Sequence, residues 1–141
     1  MKLQQFRDTT LIDSGYDRSL KSLFIMEGLV MYIPPKAVDD TLAFIVENSC
    51  LGSSVLFDYF PESVIEGTCE VGRNMRDFAQ KAGEPSKFGI KEGTVETFLE
   101  KRGFSRIKNV TSMDYKKVYF HGKNEDRAVC NLVSFVHAMI N

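Results

Sequence analysis

The residues with most chemistry to offer sit together in Leu23-Phe24-Ile25-Met26-Glu27-Gly28-Leu29-Val30-Met31-Tyr32-Ile33-Pro34-Pro35. A carboxylate and a glycine follow an apolar run at once, and a phenol comes a few residues later. Glu27 can meet a cationic group, Gly28 lets the backbone turn sharply or approach a ligand closely, and Tyr32 can line a pocket. The pattern recurs in Ser54-Val55-Leu56-Phe57-Asp58-Tyr59-Phe60, where Asp58 and Tyr59 close a second apolar run before Pro61. Phe88, in the turn-rich stretch Gly83 to Ile90, can close such a pocket. Each acid also has a plainer reading: Glu27 reaching solvent as its strand exits, Asp58 capping a loop.

Other chemistries find little support. His121 and His137 are isolated, with no acid or cysteine spaced to join them, so no metal site is expected. Cys50, Cys69 and Cys130 are odd in number and far apart, which suits reduced, mostly buried thiols in a cytoplasmic protein. The formal charge is −1 and the basic residues are scattered, so nucleic acid is not an expected partner. Lys101-Arg102 and Lys116-Lys117 read as solvated faces. Met1 to Asp8 lacks the apolar segment of a signal peptide, and no run approaches the ~20 apolar residues that span a bilayer. A chain of 141 residues, 43% hydrophobic and 26% charged, fits a single soluble domain.

Both acids follow runs too short for helices, and Leu23 to Met26 reads as a strand buried on both faces. Residues 1–22 form a lead-in of short helix or coil with a turn at Ser14-Gly15-Tyr16-Asp17, and residues 23–141 form the core. Pro34-Pro35 sets up a helix from Lys36, in which Val38, Leu42, Ile45 and Val46 recur at helical spacing, with Asp39 and Asp40 in its first turns. It should end near Cys50, with Gly52 as breaker. After the Ser54 strand, a longer helix carries Ile65, Cys69, Met75, Phe78, Ala79 and Ala82 and ends at Gly83. Thr94 can cap another helix, closed by Gly103. Phe104 to Ser112 reads as a strand, Met113 to Gly122 is ambiguous, and Leu132 to Ile140 is a last strand antiparallel to the one before. Strands alternating with helices predict an α/β sheet with parallel pairing.

So ordered, the chain resembles the leucine carboxyl methyltransferase family of S-adenosylmethionine-dependent methyltransferases, in particular its prokaryotic branch. The likeness lies in Glu27 to Pro35, in Leu56-Phe57-Asp58-Tyr59, in Gly83-Glu84-Pro85 with Phe88-Gly89-Ile90, in Leu99 to Phe104, and in the Gly15-Tyr16-Asp17 turn. The family's sheet has about seven strands, and this chain resembles its last four. The implied fold is the C-terminal half of a Rossmann-like class I sheet, about four strands with the last two antiparallel and helices on both faces. The early Arg-Thr segment, the glycine turn and the ribose-holding acid have no counterpart, and no Gly-x-Gly occurs.

The resemblance implies S-adenosylmethionine as cofactor, contacted by Glu27 and Gly28, and a substrate pocket drawn from Tyr32, Asp58, Tyr59 and Phe88. It implies O-methylation of a carboxylate or similar acceptor. A carboxylate is already ionised at neutral pH, so no general base is required and no catalytic residue is assigned. The missing motifs imply a truncated chain that is inactive alone. The alternative is a non-catalytic α/β assembly module that has lost cofactor binding. In the doubly wound order the Leu23 strand is central, so without its neighbour it becomes an exposed apolar edge. The expected partner is therefore a second copy, giving a dimer, or a separate N-terminal half, with neither nucleic acid nor membrane involved.

Overall fold

In the computed structural model, residues 10–68, 70–129 and 132–141 are described. Four strands, β1 (Leu23–Met26), β2 (Ser54–Tyr59), β3 (Phe104–Thr111) and β4 (Ser134–Ile140), form one sheet in the order β1-β2-β4-β3. β1 and β2 are parallel, while β4 inserts between β2 and β3 and runs antiparallel to both. The parallel crossover is made by α1 (Pro35–Glu47), whose stripe of Val38, Leu42 and Ile45 is buried.

Alternation along the strands separates the two faces. Phe24, Met26, Val55, Phe57, Tyr59, Val136, Ala138 and Ile140 share one face, where α1 and Val95 and Leu99 of α4 (Val95–Glu100) complete the main core. On the other face, α5 (Ser112–Tyr119) brings Tyr115 against Phe135, with ring centroids 6.3 Å apart. Towards β1 that face is open, with Leu23 and Ile25 55% and 61% exposed. The expected α/β half-sheet is present, but the Leu23 strand is buried on one face only.

Local signals explain the other differences. The long helix expected over Ile65 to Ala82 is two, α2 (Glu62–Glu66) and α3 (Glu70–Lys81), because Gly67 adopts a left-handed conformation (φ +67°) that ends the first. The ambiguous Met113 stretch is α5, started by a capping box in which Thr111 and Asp114 satisfy each other's backbone N–H groups. Thr94 precedes α4, but its hydroxyl donates to the Lys91 carbonyl and caps nothing. Asp39 and Asp40 lie beyond the first turn of α1. Asp40 pairs with Lys36, and Asp39 accepts from Arg102 Nε at 3.0 Å and Nη2 at 2.6 Å. Arg102 also stacks 3.6 Å over the Phe98 ring, so it clamps α4 to α1 where the sequence suggested a solvated face. Within residues 1–22, residues 10–13 are helical, and Cys69 and Cys130 lie outside the described residues.

Candidate functional site

Parallel β1 and β2 end side by side, so their following residues share one mouth of the sheet. There the Gly28 N–H donates to Asp58 Oδ1 at 2.7 Å. Gly28 sits at φ +59°, a conformation that other side chains resist, so the turn after β1 depends on glycine and on the Asp58 carboxylate together. Glu27, just before the turn, is exposed. The chain then runs through a short 3-10 turn, Val30–Tyr32, whose Val30 and Met31 are buried while Tyr32 faces out.

The second wall comes from the loop after α3. The Met31 carbonyl accepts from Lys87 N–H at 2.7 Å and from Phe88 N–H at 3.2 Å, which fastens this loop to the Tyr32 turn. A pocket of about 490 Å³ opens between them, lined by Gly28, Tyr32, Gly83, Glu84, Pro85 and Lys87. It offers a phenol, an ammonium and a carboxylate around open space. Lys87 was not among the candidates, although it is the basic residue inside the Gly83 to Ile90 loop.

Glu27, Gly28, Tyr32 and Asp58 therefore come together. Tyr59 and Phe88 do not join them. Phe88 points into the main core against Phe98, centroids 5.9 Å apart, because its large ring gains more from burial than from the wet mouth. Its backbone holds the loop, while its ring does not line the Tyr32 pocket. Tyr59 lies on the core face of β2, and its hydroxyl donates to Asn109 Oδ1 at 3.1 Å.

Burial holds the Tyr59 phenol above its ordinary value near 10, against the lowering effect of bonds to Ser134 and Asn109. The fold thus favours the neutral phenol. That stabilisation is complete below the unfolded-state value and is lost as pH rises through the raised folded-state value. Tyr59→Phe is expected to lose about 1 kcal/mol at neutral pH with the Asn109 bond and to flatten the alkaline decline. Urea unfolding of both proteins from neutral pH to above the phenol range measures this.

Among the described residues, no group of three or more His, Cys, Asp or Glu could hold a metal, and no helix is long and apolar enough to cross a membrane.

The parallel-then-antiparallel sheet with its mouth beside Glu27-Gly28 belongs to the fold of S-adenosylmethionine-dependent methyltransferases. A methyltransferase structure from Thermobifida fusca superposes with TM-score 0.64 at 9% identity, covering 99% of this chain and 52% of that one. One from Archaeoglobus fulgidus gives 0.56 at 11% identity, covering 99% and 65%. In sequence, residues 1–46 match the family model described as Leucine carboxyl methyltransferase. A Bacillus subtilis protein named as an S-adenosyl-L-methionine-dependent methyltransferase, YktD, is 23% identical over 92% of this chain and 43% of its own length. A Mycolicibacterium smegmatis protein of the same name class is 35% identical over 50% of this chain and 23% of its own. The likeness to the leucine carboxyl methyltransferase family model is confined to residues 1–46, and the chain spans less than half the length of these curated relatives.

Proposed function

We propose that this chain supplies the C-terminal half of an S-adenosylmethionine-dependent methyltransferase of the leucine carboxyl methyltransferase type, acting on a carboxylate or similar oxygen acceptor. The observation that carries the reading is the Gly28 N–H to Asp58 bond, which assembles Glu27, Gly28 and Asp58 at one sheet mouth beside the Tyr32 pocket. The residues fit one side of the cofactor. Glu27 offers an exposed carboxylate to its ammonium or sulfonium end, and Asp58 positions that residue by fixing the turn. When bound, the cofactor supplies a methyl group on a positively charged sulfur. Tyr32 and Lys87 suit an anionic acceptor, since a phenol O–H and an ammonium both donate to a carboxylate. Placement in a water-poor site is most of what methyl transfer asks of a protein.

The family's glycine turn and ribose-holding acid have no counterpart here, so this chain alone forms a half-site. The test is Glu27→Gln in this chain reassembled with the N-terminal part of a methyltransferase relative. The substitution keeps shape and removes charge, so cofactor affinity is expected to fall about tenfold or more while melting is unchanged. Unchanged affinity with an intact fold would leave Glu27 as a strand-exit residue. The second reading, a non-catalytic α/β assembly module that has lost cofactor binding, is favoured by β1, which among the described residues pairs with β2 alone.

A further inference from the structure

The pocket between the Tyr32 turn and the loop after α3 carries two opposite charges, Glu84 and Lys87, both exposed. Their backbones are fixed at either end of a short non-helical segment. The Glu84 N–H donates to the Ala79 carbonyl at 2.9 Å, which closes the end of α3, and the Lys87 N–H donates to the Met31 carbonyl at 2.7 Å. Pro85 between them restrains the segment further. Among the described residues neither charged side chain takes part in an ion pair, and the Tyr32 hydroxyl makes no hydrogen bond. An ammonium, a carboxylate and a phenol therefore line about 490 Å³ of open space with their bonding capacity unspent.

A plain carboxylate entering this pocket meets Lys87 and Tyr32 as donors but Glu84 as a like charge, so attraction and repulsion oppose each other. A ligand that also carries an ammonium turns the same Glu84 into a second attraction. Specificity of this kind comes from penalising the wrong ligand as much as from holding the right one. We infer that the pocket selects a small dipolar acceptor of amino-acid type, whose carboxylate is held by Lys87 and Tyr32 and whose ammonium is held by Glu84. Glu27 is not among the residues lining this space, so the carboxylate offered to the cofactor and the one offered to the acceptor are different. Calling the ligand an acceptor rests on the methyl-transfer reading, whereas its charge pattern rests on the pocket alone.

The test follows backbone amide resonances of the chain in low-salt buffer, where exposed charges are least screened. Three probes of equal carbon number are titrated: 5-aminopentanoate, pentanoate and pentylamine. The dipolar probe is expected to give saturable shifts at Tyr32, Glu84 and Lys87 in the millimolar range. Each singly charged probe should bind about tenfold more weakly. Glu84→Gln should reverse the preference, weakening 5-aminopentanoate and strengthening pentanoate, a gain that a damaged fold cannot produce. Lys87→Gln should weaken both carboxylates. The two substitutions fall at exposed positions and should leave melting unchanged.

Equal affinity for 5-aminopentanoate and pentanoate would overturn the proposal. So would an unaltered preference in Glu84→Gln, shifts that gather elsewhere, or no shift with any probe at tens of millimolar. S-adenosylhomocysteine, added separately, reads Glu27 instead. Glu27 shifts without probe binding would strike the dipolar acceptor and leave methyl transfer standing. Probe binding with Glu27 silent would strike methyl transfer and leave a site for a dipolar ligand.

Discussion

Titrating S-adenosylmethionine into the 141-residue chain is expected to release no binding heat at micromolar concentrations. The mouth of the sheet offers Glu27 and the Gly28 turn held by Asp58, which are proposed to meet one end of the cofactor. The family's glycine turn and ribose-holding acid have no match, and no Gly-x-Gly occurs in the chain. Each charge-assisted hydrogen bond contributes about 1.5 to 3 kcal/mol, so two missing ones weaken binding by roughly a hundredfold to ten-thousandfold. Affinity of that order falls in the millimolar range when a complete site binds at micromolar levels. A clear micromolar isotherm would mean that this chain supplies contacts outside the mouth and that the half-site account is wrong.

The second large effect concerns the core that holds the mouth in place. Phe57 is 1% exposed at the centre of β2, opposite Met26 of β1 and Val136 of β4 in the sheet register. Phe57→Ala leaves a cavity beneath both neighbouring strands and should cost about 3 to 5 kcal/mol. Against a typical total of about 5 to 15 kcal/mol, such a loss empties much of the folded population at physiological temperature. The control is Phe78→Ala on α3, where the ring is 71% exposed and the expected change is within about 0.5 kcal/mol. Urea unfolding separates the two, and comparable losses would contradict the assignment of the core face.

The acid-ended strands were legible because their signal is local: an apolar run, a carboxylate, then a turn residue. The helix after Pro34-Pro35 was legible for the same reason, its apolar stripe being set by spacing alone. What escaped depended on partners distant in sequence. Nothing in the spacing shows that Asp58 accepts from Gly28, since the two meet only when β1 and β2 lie parallel. Arg102 looks solvated beside Lys101 until α1 brings Asp39 to it. Tyr59 looks like a mouth residue until strand alternation turns it towards Asn109. The start of α5 was readable in principle, because Thr111 and Asp114 carry the capping-box spacing, but the basic and aromatic run after them obscured its period. The cofactor and its family entered through the order of several separated motifs, which no single residue pattern carries.

Cofactor binding at the β1–β2 mouth is tested most directly by following backbone amide resonances of the chain while S-adenosylhomocysteine is raised to millimolar concentration. This product keeps the amino-acid end, with the α-ammonium that Glu27 is proposed to meet. The account predicts saturable shifts concentrated at Glu27, Gly28, Tyr32 and Asp58, reduced in Glu27→Gln. Shifts that leave these four unmoved, or that gather on another part of the sheet, would contradict it.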